Sequence, residues 1–158
     1  MTTRPRRAVL AAVLALSGLT AGCAPMRDLD AVALGAASVQ AGSMLSAVER
    51  TVEENTSATD DELAELLVTA VDERAEAGFE LVGAPGRRTT WHSVVNGSAD
   101  GPIKAQVWAS GCFEIVVDRD AIPPVTATDR PCPDKVIRNL QSRNSEENIL
   151  SIEDVRRD

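Results

Sequence analysis

The sequence predicts an α+β fold: an N-terminal helical hairpin packed on a small antiparallel sheet of three to five strands. Three observations predict it. Apolar residues recur at helical spacing between about residues 28 and 77. After Gly78 the period drops to two, in runs rich in Val, Ile, Thr and aromatic residues. Turn residues punctuate those runs at Pro85-Gly86, at 96–102, at Ser110-Gly111 and at Pro123-Pro124. The length of 158 residues suits about one domain, and 44% apolar residues are enough for a buried core.

Residues 1–22 read as an export segment. Arg4, Arg6 and Arg7 form a basic start, and Ala8 to Leu19 is an uncharged apolar run. That run is shorter than the roughly 20 residues a membrane span needs. Small residues follow, and then a cysteine, in Leu19-Thr20-Ala21-Gly22-Cys23. This arrangement resembles the signal peptide and lipobox of bacterial lipoproteins, with Thr20 where that motif more often has Leu. The resemblance covers residues 1–23 only. It implies that Cys23 receives a diacylglyceryl group, that the peptide before it is removed, and that the chain is held on the extracytoplasmic face of the cell membrane. Two acyl chains anchor stably where one does not. Residues 23–27 would then be a lipidated tether. Arg outnumbers Lys 14 to 2, a codon bias that points to a high-GC bacterium and a Gram-positive envelope.

A first helix is expected over 28–55. Leu34, Ala41 and Val48 recur every seven residues, as do Ser38, Leu45 and Val52, forming one thin stripe. Gly35 and Gly42 each cost about 1 kcal/mol against Ala in such a helix. The stripe suits a helix packed on its own domain, and the alternative is a helix that pairs with a partner. Thr59-Asp60-Asp61-Glu62 has the form of a capping box, and its acids suit the positive end of a helix dipole. The second helix, about 60–77, has Leu63, Leu66, Leu67, Ala70, Val71 and Arg74 on one stripe, with Gly78 as the residue that ends it.

Strands are expected at Phe79–Val82, Arg88–Asn96, Ile103–Ala109, Cys112–Asp118 and Val125–Thr128. With hairpin turns at 96–103 and at Ser110-Gly111, Trp91 faces Trp108 and Trp108 faces Phe113. Those three rings, with Val95, Ile115 and Val117, would form the face under the helices. His92, Val107 and Glu114 would lie behind it. A short helix is expected over Asp134–Gln141, carrying Val136, Ile137 and Leu140. Residues 142–158 read as a polar tail, so the single domain spans 28–141. With Cys23 lipidated, Cys112 and Cys132 remain, and two cysteines outside the membrane are expected to pair.

Without the first 22 residues, 13 basic residues face 24 acidic ones, a net charge of −11. Such a surface is repelled by nucleic acid and anionic headgroups, so the lipid must do the anchoring. One His, three Cys and an aromatic content of 3% exclude a His-rich metal site, a multi-Cys zinc module and a base-stacking platform. His92 is the only imidazole, and its neighbour Ser93 must point to the other face of a strand. No G-x-S-x-G elbow is present. Asp118-Arg119-Asp120 and Asp100-Gly101 lack the pattern of a calcium loop. Asn96-Gly97-Ser98 matches a glycosylation sequon and reads as a turn. No catalytic, metal or cofactor residues are therefore assigned. Trp91 and Trp108 read as core, with a ligand pocket as the alternative. The expected function is a membrane-tethered, non-enzymatic binding or accessory domain of the envelope, with an unidentified envelope partner. The alternatives are an interaction protein pairing through helix 28–55, or a small carboxylate-based hydrolase.

Overall fold

A long helix lies across one face of a five-stranded sheet in the computed structural model, which describes residues 28–72, 78–84, 86–101, 106–143, 145 and 147–155. The export segment, Cys23, the tether and the expected end of the second helix lie outside the described residues. The elements run α1 (Leu29–Glu54), α2 (Asp60–Asp72), β1 (Gly78–Gly83), β2 (Arg88–Asp100), β3 (Gln106–Asp118), β4 (Val125–Asp129), α3 (Asp134–Gln141), β5 (Ile149–Leu150) and α4 (Ile152–Val155). The fold is α+β, as expected.

Local chemistry starts each of the first two helices. Asp28 caps α1, its carboxylate accepting from the Asp30 and Ala31 backbone N–H groups. At α2 the capping box forms: Thr59 N–H donates to Glu62 Oε2 at 2.8 Å, and Glu62 N–H donates to Thr59 Oγ1 at 3.3 Å. The Thr59 hydroxyl also donates to Glu62 Oε2, at 2.9 Å, and the two bonds that the carboxylate accepts, first from the Thr59 backbone and then from its hydroxyl, hold the Glu62 carboxyl below its ordinary value. Arg119, between β3 and β4, locks the hairpin to the sheet. It donates to Thr56 O and Ala58 O, each at 2.7 Å, and pairs with Asp60 at 3.1 Å.

The buried face of α1 is Ala33, Ala37, Ala41, Met44, Val48 and Val52; Leu34 and Leu45 of the expected stripe lie half-buried beside it. By length and composition alone, α1 is the one described helix apolar enough to cross a membrane. Here its apolar face is part of the domain core. It runs antiparallel to β2, with Ala33 and Ala37 over Gly97 and Met44 over Ser93, whose hydroxyl donates to the Met44 sulfur at 2.8 Å. α2 adds Leu63, Leu67 and Val71 to the same core.

The sheet order is β1-β2-β3-β4, antiparallel throughout, with β5 joining β3 in parallel. Here the strand reading needs correction. The described part of the expected strand 103–109, from Gln106, and the expected strand 112–118 are one continuous β3, and β2 runs on through Asn96-Gly97-Ser98 to Asp100. Neither Ser110-Gly111 nor Asn96-Gly97 is a turn. Gly97 is flat strand under α1, where an added Cβ would strike Ala37 N and Ala33 O. Gly111 leaves room for the Phe113 ring, 2.6 Å from where its Cβ would stand. Gly86 is the described glycine that takes a left-handed φ, at 63°, in the expected turn. Gly78 is the first residue of β1.

The register changes with the strands. Trp91 pairs with Ile115, Ser93 with Phe113, and Trp108 with Ser98. Trp91 and Phe113 share the helix-facing side with Val95, Ile115 and Val117, all fully buried. Trp108 does not join them. It is five residues from Phe113 in one strand, so it projects from the opposite face. Val107, expected behind the core, pairs with Ala99 on the inner face instead. His92 pairs with Glu114 on the outer face, as expected.

The segment expected as a tail is part of the fold. β5 fills the edge of β3 beyond β4, pairing Ser110 with Ile149 and Gly111 with Leu150. Leu150 and Ile152 enter the core, and Asp129 caps the Ile152 N–H at 2.7 Å. Cys112 and Cys132 form the expected disulfide, with Cα atoms 5.3 Å apart.

Candidate functional site

The outer face of the sheet carries α3 over one end only. Two attachments hold it there. The disulfide ties Cys132, just before α3, to Cys112 on the outer face of β3. Beyond α3, Ser145 N–H donates to Leu140 O at 2.9 Å, and the Ser145 hydroxyl accepts from Trp108 N–H at 3.4 Å. Asn148 completes this second attachment, donating to Trp108 O at 3.1 Å and to Asp30 of α1, while Ser110 N–H donates to Asn148 O at 3.0 Å.

Only Leu140 of α3 is buried; Val136 and Ile137 are half-buried. The helix therefore stands off the sheet and encloses a cleft of about 340 Å³, at the small end of the range for ligand sites. Val94, Trp108, Val136 and Leu140 give it apolar walls; Asn96, Ser110, Lys135, Asn139 and Arg143 give it polar ones. A second hollow of about 280 Å³ shares Asn96 and Trp108 and reaches Gln40 and Ala36 of α1.

Trp108 is the apolar wall common to both. The Arg143 guanidinium lies over its ring, 4.2 Å from the centroid, a cation–π contact that fixes the cation at the cleft. The Trp108 indole N–H is shut off from solvent and has no acceptor among the described residues. An orphan donor of this kind costs about 1–3 kcal/mol. Asn96 is fixed as well. The Ser110 hydroxyl donates to its Oδ1 at 2.8 Å, and its backbone N–H, beyond the end of β1, donates to Gln40 at 3.3 Å. With the oxygen occupied, the end of that amide without a partner among the described residues is its Nδ2 donor.

No known protein family matches the chain, and no curated protein or solved structure matches it either. The site must speak through its own residues.

The residues weighed from sequence scatter elsewhere. His92 Nε2 lies 3.6 Å from Glu114 Oε2, half-exposed at the end of the outer face that α3 leaves open. Ser93 is buried on the other face against Met44. Asp118 accepts from Asp120 N–H at 3.1 Å in a tight loop, and Asp120 pairs with Arg87 at 3.3 Å. Asp100 accepts from Gln106 across the start of the β2–β3 hairpin. Asp60 is held by Arg119. Among the described residues, no three His, Cys, Asp or Glu side chains gather as metal ligands.

Trp108 is the one cleft residue that the sequence raised as a pocket candidate. In the sequence Asn96 reads as part of a turn, and no motif marks Lys135, Asn139 or Arg143 as lining a site. A faint signal existed: Lys135 and Asn139 are four apart on α3, beside the apolar Val136 and Leu140, so they flank whatever that face covers.

Proposed function

We propose that this chain is a lipid-anchored protein of the bacterial envelope, held by a diacylated Cys23 on the extracytoplasmic face. Its folded part is a non-enzymatic binding domain, and the cleft between α3 and the outer sheet face is where it binds. The observation that carries the binding role is the cleft itself: a helix pinned at both ends stands over a tryptophan, with a cation fixed on that ring. A helix needed only to cover the sheet would lie flat and bury Val136 and Ile137. The signal-like residues 1–22, Cys23 and the acidic mature surface support the anchor.

One preparation tests both halves. Protein extracted from membranes should carry an acylated N-terminal Cys23 by mass spectrometry, and Cys23→Ala should leave the membrane or persist as precursor. In the same extracted protein, labelled at its two tryptophans, a diverse fragment set should move the Trp108 indole resonance and leave that of Trp91 in place. A mature N-terminus elsewhere overturns the anchor. A Trp108 resonance that no fragment moves overturns the cleft.

A further inference from the structure

We infer that the cleft takes a small organic anion, a phosphate or carboxylate carried on an apolar body. The inference rests on the reading of the cleft as a binding site and goes on to its ligand class.

The polar lining decides the sign. Lys135 and Arg143 are both at the cleft, and among the described residues no carboxylate lines it or the hollow beside it. In a chain with 24 acidic and 16 basic residues, that is a local inversion of charge. Neither cation has an ion pair among the described residues, whereas Arg87 and Arg119 do. Arg143 has a ring beneath it and a 3.3 Å bond to Gln106 Oε1, which position the guanidinium without neutralising it. Asn96 adds its Nδ2, without an acceptor among the described residues, and Asn139 adds a second amide. Donors thus outnumber acceptors around the cavity, and the charges among them are positive. A ligand that satisfies such a set brings acceptors and negative charge.

The acidity of the whole molecule does not oppose this. Exposed charges are screened beyond about 8 Å at physiological ionic strength. A small anion inside the cleft meets Lys135 and Arg143 first, and the remaining acids act through that screen. A polyanion would extend over the acidic surface and be repelled, so the class is small. The apolar walls from Val94, Trp108, Val136 and Leu140 call for an apolar body beside the charged group.

The test follows the Trp108 and Trp91 indole resonances of the detergent-extracted protein during titration, with Trp108→Phe assigning the two. Phenyl phosphate should shift Trp108 saturably. Benzylamine and benzyl alcohol, of similar shape and opposite or no charge, should bind at least about tenfold more weakly. Inorganic phosphate, lacking the body, should also bind more weakly. Lys135→Gln and Arg143→Gln, both near the surface, should each weaken phenyl phosphate about tenfold and bring its affinity toward that of benzyl alcohol. Dihexanoyl phosphatidylglycerol below its micellar concentration forms a second arm. A preference for it assigns the anion to a lipid headgroup, and a preference for phenyl phosphate assigns it to a soluble compound. Equal binding of benzylamine, or phenyl phosphate binding unchanged in both variants, overturns the anion inference and leaves the cleft as a neutral site. Equal binding of inorganic phosphate overturns the apolar body. Silence of Trp108 toward every compound overturns the inference together with the reading beneath it.

Discussion

The two tryptophans show what a single side chain owes to its face of the sheet. Trp91 is fully buried, stacked on Phe79 with ring centroids 4.6 Å apart, and its indole N–H donates to Thr89 at 2.9 Å. Truncating it would leave a cavity and an unpaired hydroxyl in the core. Trp91→Ala should therefore cost about 3–5 kcal/mol, a large part of a small domain's stability. Trp108 is half-buried beneath Arg143, and its orphan N–H already costs the fold. Trp108→Ala should cost about 1–2 kcal/mol at most, from lost apolar contact and the cation–π pair. Paired denaturant melts of the two variants check this, and a larger loss at position 108 would place that ring in the core after all. The sequence put both rings on one face because it folded the chain at Ser110-Gly111. Parity along the strand is unforgiving: removing that turn moves Trp108, five residues from Phe113, to the outer face while leaving Trp91 inside.

Elements became legible in the sequence where their determinants are local. The Thr59–Glu62 capping box, the 3.6 period of α1 and α2, and the Pro133-Asp134 start of α3 each lie within a few residues, and these helices stand where they were expected. The strands were misread where a glycine answers to something distant. Gly97 resembles a turn residue until α1 is placed, some sixty residues earlier, with its alanine face against β2. Ala33, Ala37, Ala41, Gly97, Ala99 and Ala109 form a low-relief contact in which backbones approach closely, so helix and strand are fitted by absence of side chain. A Cβ at Gly97 meets backbone atoms, which cannot swing aside as a side-chain end can. Gly97→Ala should push α1 off the sheet and cost about 3 kcal/mol, at the upper end of ordinary overpacking. Gly42 makes the contrast. It lies in the same helix with open space above it, so Gly42→Ala should stabilise by up to about 1 kcal/mol through helix propensity alone. Thermal melts of the two variants should move in opposite directions, and a stabilised Gly97→Ala would disprove the close approach.

At the scale of the whole molecule, the cleft belongs to no one segment, which is why the sequence could not assemble it. Asn96 comes from β2, Trp108 and Ser110 from β3, Lys135 and Asn139 from α3, and Arg143 from the stretch beyond. What brings them together is the disulfide at one end of α3 and the docked C-terminal segment at the other, and only the disulfide was foreseen. The two ties differ in kind. Across a separation of 20 residues, the Cys112–Cys132 link should contribute about 3 kcal/mol in the chain-entropy account. The core under α1 lies on the other face of the sheet and does not use it. Replacing both cysteines by Ser should therefore lower global stability by about that amount and, separately, free the start of α3 to lift from the outer face. Hydrogen exchange should show the difference. Amides of Val136 to Gln141 should lose protection well beyond the global loss, by local opening, while those of α1 and β2 fall only in step with it. The shift of Trp108 by phenyl phosphate should vanish in the same variant, because Lys135 and Asn139 leave with the helix. If α3 keeps its protection relative to the core, the C-terminal attachment alone holds the cleft. The disulfide would then serve the stability of the fold and not the shape of its site.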